Sequence, residues 1–241
     1  MSIHVTVWNE FVHEKNKPEV AEIYAGGIHA TIANGLTETM EEVFEVRTAT
    51  LDQPEQGLPD DVLEWTDVLF WWGHAAHDQV DDALVTRIQQ RVLGGMGFVV
   101  LHSGHDSKPF KKLMGSNCQL RWREEGERER LWIVDSGHPI VDGIESEYLE
   151  LEHAEMYGEP FGIPTPDELI MISWFEGGEV FRSLCTWKRG KGKIVYFRPG
   201  HETYPIYHNL DVQLILANSA IWAAPSGVPY ELACRNPPRF T

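Results

Sequence analysis

The chain has 241 residues and is 42% hydrophobic, which supports a sizeable core and excludes a disordered polymer. With 20 Lys and Arg against 37 Asp and Glu the formal charge is -17, a surface that repels nucleic acid and suits small neutral or polar ligands. Cys118, Cys185 and Cys234 are widely spaced with no C-x-x-C pair, so no disulfide framework or zinc finger is expected, and a reducing compartment is.

Residues 3–8 (IHVTVW) read as a first strand, broken at Asn9 and Glu10. No basic leader precedes it and no segment approaches the ~20 apolar residues of a membrane span, so a cytoplasmic protein without membrane contact is expected. Residues 18–36 carry Val20, Ile23, Tyr24, Ile28, Ile32 and Leu36 at helical spacing. Residues 43–49 form a second strand, and residues 59–63 suit a short helix with Pro59 near its start. Residues 67–72 (DVLFWW) are nearly continuously apolar, as in a parallel strand covered on both faces. A helix over about 79–93 ends at Gly94 and Gly95, and a further strand, 97–101 (GFVVL), stops at His102-Ser103-Gly104-His105.

This alternation predicts an α/β fold, three-layer and doubly wound, with a mostly parallel sheet in flavodoxin-like order. Strands 3–8, 43–49, 67–72 and 97–101 should be parallel neighbours, with ligands at their carboxyl ends. From residue 119 to 182 the pattern changes to short extended pieces at 131–134, 148–151, 169–173 and 180–184, read as an antiparallel extension of the same domain. The basic run Lys188, Arg189, Lys191 and Lys193 has interspersed glycines and reads as a solvated turn. Residues 193–198 return to the core as a strand, and 212–222 form a terminal helix. One domain over 1–224 and a Pro-containing tail over 225–241 are expected.

Several of the eleven histidines sit just beyond predicted strands: His13, His74, His77, His102, His105 and His201. Loops after adjacent strands of a doubly wound sheet line one crevice, so these imidazoles should face one cavity about the size of a sugar. His74 and His77, like His102 and His105, are spaced i, i+3, which places two side chains on one side of a helical turn. A divalent metal, zinc before others, is therefore expected at His74, His77 and His105, with a carboxylate from Glu155. A metal-free site in which the same histidines bond hydroxyls is the alternative. His201 ends an apolar strand through Pro199 and Gly200, a rigid mount for a group with an ordinary pKa near 6.5. Of the nine tryptophans, Trp187 is singled out as a ring that could stack on a sugar.

Gly97-Phe-Val-Val-Leu-His102-Ser103, His138-Pro-Ile, Glu155-Met-Tyr157 and the run from Trp187 through Gly190, Gly192 and Gly200 to His201 are in the order of ThuA-like, trehalose-utilisation domains. With Asn9-Glu-Phe-Val-His13 after the first strand, the chain resembles that family over about residues 3–224. The resemblance implies a class I glutamine amidotransferase-like fold, a role in bacterial disaccharide utilisation and keto-sugar isomerisation. It places His13, His102, Glu155, Tyr157, Trp187 and His201 in family-like positions. The fold usually carries a nucleophilic cysteine on the turn after the strand that here is 97–101; His102 stands there instead, so glutamine hydrolysis through a thiolate has no nucleophile.

The reading is an isomerase of a keto-sugar or keto-glycoside working through an enediol. Glu155 and His201 are the base and acid, His102 holds a substrate oxygen, and His13, Tyr157 and Trp187 bind the sugar. A non-catalytic sugar-binding or regulatory protein and a metal-dependent hydrolase stay open as alternatives, as does a homo-oligomer.

Overall fold

The computed structural model describes residues 2–227. The part of the expected tail beyond residue 227 lies outside the described residues. The strands are β1 (Ile3–Asn9), β2 (Phe44–Thr50), β3 (Val68–Trp72), β4 (Gly97–Leu101), β5 (Arg121–Ile133), β6 (Tyr148–Gly158), β7 (Glu168–Phe175), β8 (Val180–Arg189) and β9 (Gly192–Phe197). The helices are α1 (His13–Asn16), α2 (Pro18–Ile23), α3 (Ile28–Thr39), α4 (Asp60–Trp65), α5 (Asp82–Gly94), α6 (Lys108–Met114) and α7 (Leu210–Ala223). Among the described residues no helix is long and apolar enough to cross a membrane.

All nine strands belong to one sheet, in the order β2-β1-β3-β4-β9-β8-β7-β5-β6. The expected parallel neighbours pair as read: β1 with β2 and β3, and β3 with β4. β9 joins β4 in parallel, completing the flavodoxin-like order, and β8, β7, β5 and β6 extend the sheet antiparallel.

Strict side-chain alternation splits the apolar strands between two cores. Val68, Phe70 and Trp72 of β3 pack with α3 and α7 through Ile28, Ile32, Ile215 and Leu216. Leu69 and Trp71 face the other way, toward Leu84 and Ile88 of α5 and Phe110 of α6. Every residue of β3 and β4 is buried, the physical reason why DVLFWW and GFVVL show no polar alternation.

Three expectations need correction. The single helix over 18–36 is two, α2 and α3, because Gly27 interrupts it with φ of 92°, a conformation glycine adopts without a Cβ penalty. β5 and β6 run much further than 131–134 and 148–151: the charged, mostly exposed first half of β5 has few apolar residues to mark it and pairs with the buried end of β6. Helix α6, capped by the Ser107 hydroxyl accepting from the Phe110 N–H, was missed because it has only 7 residues. The basic run does form the turn between β8 and β9, with Lys188, Gly190 and Lys191 exposed.

The chain leaves β9 through Arg198, Pro199 and Gly200. Gly200 has φ of 139°, and a Cβ there would overlap the Tyr207 hydroxyl. Gly200→Ala should therefore cost about 1–3 kcal/mol from overpacking, more with backbone strain added. Urea denaturation checks this, and an unchanged midpoint would show that the turn tolerates a side chain.

Candidate functional site

The loops that leave β1, β3, β4 and β9 meet residues of β5 and β6 around a cavity of about 490 Å³. Lys17, His74, His77, Ser103, His105, Glu155, Tyr157, His201 and Glu202 are in its wall, and β5 adds Trp122 and Glu124. A larger groove of about 720 Å³ runs along the arm of β5 and β6 and shares Trp122 and Glu124 with it, but is walled by Arg121, Arg123, Glu159 and Glu179 instead of histidines. The smaller cavity gathers the buried titratable groups, so the chemistry belongs there.

One wall is organised by two carboxylates. Glu10, buried at the end of β1, accepts from the Ala75 and Ala76 N–H groups at 2.7 and 2.9 Å and so shapes the loop that carries His74. Glu202 is fully buried. It accepts from His74 Nδ1 at 2.9 Å and from Lys17 Nζ at 3.0 Å, with His13 Nδ1 at 3.2 Å. The His13 and His74 rings stack at 5.0 Å. Burial opposes charge on His74, but the hydrogen bond and charge of Glu202 outweigh it and raise the imidazole above its ordinary pKa. Burial lowers His13 instead. Burial also works against the Glu202 carboxylate, yet the His74 bond and the surrounding imidazoles hold it far below the usual range. With Nδ1 engaged by Glu202, His74 offers Nε2 to the cavity.

The other wall is built on His102. It is the first residue after β4 and has φ of 48°, the left-handed region that costs a non-glycine residue about 1–3 kcal/mol. Its buried ring stacks on Tyr157 at 4.9 Å, and Nδ1 donates to the Arg198 carbonyl at 2.9 Å. That bond leaves Nε2 as a lone pair. Nε2 lies 3.0 Å from Glu155 Oε2 and 3.4 Å from the Tyr157 hydroxyl, while Glu155 Oε2 is buried without a hydrogen-bond partner. Burial, helped by Arg198, holds His102 far below its ordinary pKa, and burial raises Glu155. Burial thus disfavours the imidazolium–carboxylate form of this contact and favours a neutral carboxyl that donates to the Nε2 lone pair.

His201 completes this wall, its ring edge-on to His102 at 5.5 Å and to His74 at 5.6 Å. Nδ1 lies 2.8 Å from Thr203 Oγ1 and 3.3 Å from the Thr203 N–H. Burial, with His102 beside it, pushes His201 down to about 4, so it is neutral at pH 7.

The structure brings together His13, His74, His102, Glu155, Tyr157 and His201, but not the expected metal set. Two groups of side chains among the described residues could hold an ion, His13–His74–Glu202 and His102–Glu155–His201, and neither contains His77 or His105. The 3-10 turn His102–Asp106 separates its two histidines: His102 Nδ1 bonds Arg198, whereas His105 Nδ1 lies 2.8 Å from the Cys118 carbonyl. Burial takes His105 down to about 4. Trp187 is also misplaced as a sugar platform, because it is fully buried, packs on Phe110 and donates its Nε1–H to the Pro164 carbonyl. The exposed aromatic at the cavity is Trp122, 66% accessible. Glu10, Glu202 and Arg198 were not singled out; their signal was adjacency, Glu10 to the first strand end and Arg198 and Glu202 to the block ending in His201.

The family model for trehalose utilisation, ThuA, matches residues 4–223. The chain belongs to this family. Two solved structures described as ThuA-like are similar to it. One is from Bacteroides uniformis, at 15% identity and TM-score 0.64, covering 92% of this chain and 91% of that one. The other is from Parabacteroides merdae, at 14% identity and TM-score 0.66, covering 95% and 94%. PurLQS from Thermotoga maritima is similar at 9% identity and TM-score 0.56, covering 92% of this chain and 99% of that one. At these identities the likeness is one of fold, ThuA-like and glutamine amidotransferase-like. No curated protein matches the sequence. In this ThuA-family chain the turn after β4 presents His102, and the two described cysteines, Cys118 and Cys185, are free and buried.

The two tryptophans should separate cleanly by stability. Trp187→Ala is expected to cost about 3–5 kcal/mol, as for a large core ring, and Trp122→Ala to stay within about 0.5 kcal/mol. Equal denaturation midpoints for the two variants would contradict this placement.

Proposed function

We propose that the cavity isomerises a keto-sugar through an enediol, moving one proton between neighbouring carbons while the hydroxyl proton passes to the former carbonyl oxygen. The observation that carries this reading is the pairing of unlike walls: the His74–Glu202 dyad on one side and the His102–Glu155–His201 cluster on the other. Enediol chemistry needs one group that takes and returns a proton and one that stabilises the charge developing on oxygen. His74 suits the first role, since Glu202 fixes its tautomer and supports the imidazolium that forms when Nε2 accepts the proton. A single imidazole serves both carbons when the proton returns on the face it left.

The cluster suits the second role. A proton held between His102 Nε2 and Glu155 Oε2, or a cation in its place, would supply the electrophile for the carbonyl oxygen. This reading moves base and acid from Glu155 and His201 to His74. Support for a sugar comes from the cavity volume of about 490 Å³, the polar wall, the exposed Trp122 ring and the family description, trehalose utilisation.

Nuclear magnetic resonance of a keto-sugar in deuterated water follows solvent exchange at the carbon beside the carbonyl. His74→Asn should reduce exchange by about 10²- to 10⁴-fold with folding intact, the usual contribution of a positioned base. Glu202→Gln should lower it by less. Full exchange in His74→Asn would contradict the assignment of the base; sugar binding without any exchange by the unaltered protein would make the site a sensor.

A further inference from the structure

We propose that His102, Glu155 and His201 bind a divalent transition-metal ion, zinc by its donor set, with one coordination position open to the cavity. The proposal concerns ion binding and does not depend on the isomerase reading.

One ligand atom from each of the three residues lies within 4.8 Å of the others, and all three residues are buried. The decisive feature is the orphaned contact. Glu155 Oε2, on a residue only 4% exposed, has no donor and lies 3.0 Å from a ring nitrogen whose lone pair is fixed by the Arg198 carbonyl. Two lone pairs at this separation repel each other unless a proton or a metal cation lies between them, and a metal bound beside both replaces that proton. Ligands bound at about 2.0–2.2 Å in tetrahedral geometry are themselves about 3.3–3.6 Å apart, so the 3.0 Å contact has to open by only a few tenths of an ångström. The Tyr157 hydroxyl, 3.4 Å from Nε2, has a single proton and cannot satisfy both atoms.

The surroundings fit as well. Ligand histidines usually donate their second nitrogen to an oxygen, which orients the ring and raises its basicity. His102 Nδ1 does so to the Arg198 carbonyl at 2.9 Å; His201 Nδ1 faces Thr203 Oγ1 at 2.8 Å and the Thr203 N–H at 3.3 Å, so an ion on its Nε2 requires Nδ1 to donate to that hydroxyl and release the N–H. Two imidazoles and one carboxylate suit zinc rather than calcium or magnesium, and three protein ligands leave the fourth place free. The neighbouring group, His13–His74–Glu202, is different: both Glu202 oxygens already face His13, His74 and Lys17 nitrogens, so that carboxylate is satisfied without an ion.

The test uses the full chain freed of any histidine tag, incubated with zinc alone, dialysed and measured by elemental analysis and chelator competition. About one zinc per chain is expected, the content of a mononuclear site. Glu155→Gln and His102→Asn should weaken binding by more than ~100-fold, beyond the loss caused by removing an outer hydrogen-bond partner. Asn is chosen at position 102 because it tolerates positive φ, and circular dichroism confirms that each variant is folded. His77→Asn should keep the unaltered affinity. Absence of zinc from the unaltered protein, or full retention by folded Glu155→Gln, overturns the proposal, as does loss confined to His74→Asn or His13→Asn.

Discussion

The buried guanidinium of Arg198 ties the two halves of the sheet together where the site is built. Arg198 follows β9, and its side chain is fully buried. One terminal nitrogen pairs with Glu129 of β5, and the other donates to the Glu155 carbonyl of β6 at 2.7 Å. Its backbone N–H donates to the Ser183 carbonyl of β8 at 2.8 Å, and its own carbonyl accepts from His102. A planar, charged fork holds two separate nitrogens on two partners in fixed geometry, where a lysine offers one nitrogen on a flexible stem. Removing one partner of such a buried pair costs about 3–5 kcal/mol, because the other charge is left uncompensated. His102 and Glu155 come from opposite halves of the sheet, and both take their position from this one residue.

The same economy governs the charges around the cavity. An overall charge of -17 works against further buried carboxylates, yet Glu10, Glu155 and Glu202 all sit at the site. Glu10 is neutralised by backbone N–H groups and Glu202 by imidazoles and Lys17. Glu155 alone has an oxygen without a donor. Two of the three carboxylates therefore position other groups, and the third carries unspent electrostatic potential into the cavity.

The parallel half of the fold was legible because its strands are covered on both faces, and covered strands announce themselves as unbroken apolar runs such as Phe98 to Leu101. The first half of β5 was not, since its run from Arg121 to Arg130 is mostly charged and exposed and leaves no hydrophobic period. The histidines converged because topology brings strand ends together, an argument that needs only the order of elements. It does not tell which way each ring points, and for that reason His77 and His105 were grouped with His74 although hydrogen bonds direct His105 to Cys118. Trp187 failed for a related reason: a tryptophan on a strand faces either the core or solvent, and the pattern around it leaves both open.

The central claim is that one carbonyl is held between two chemically unlike walls, and a crystal structure tests it most directly. The His74→Asn chain, loaded with a keto-sugar, should show the carbonyl oxygen within hydrogen-bond reach, about 2.6–3.2 Å, of the Glu155 and His201 side of the cavity. The neighbouring C–H should face residue 74. A sugar seated wholly in the groove along β5 and β6, with its carbonyl turned away from both walls, would contradict the account.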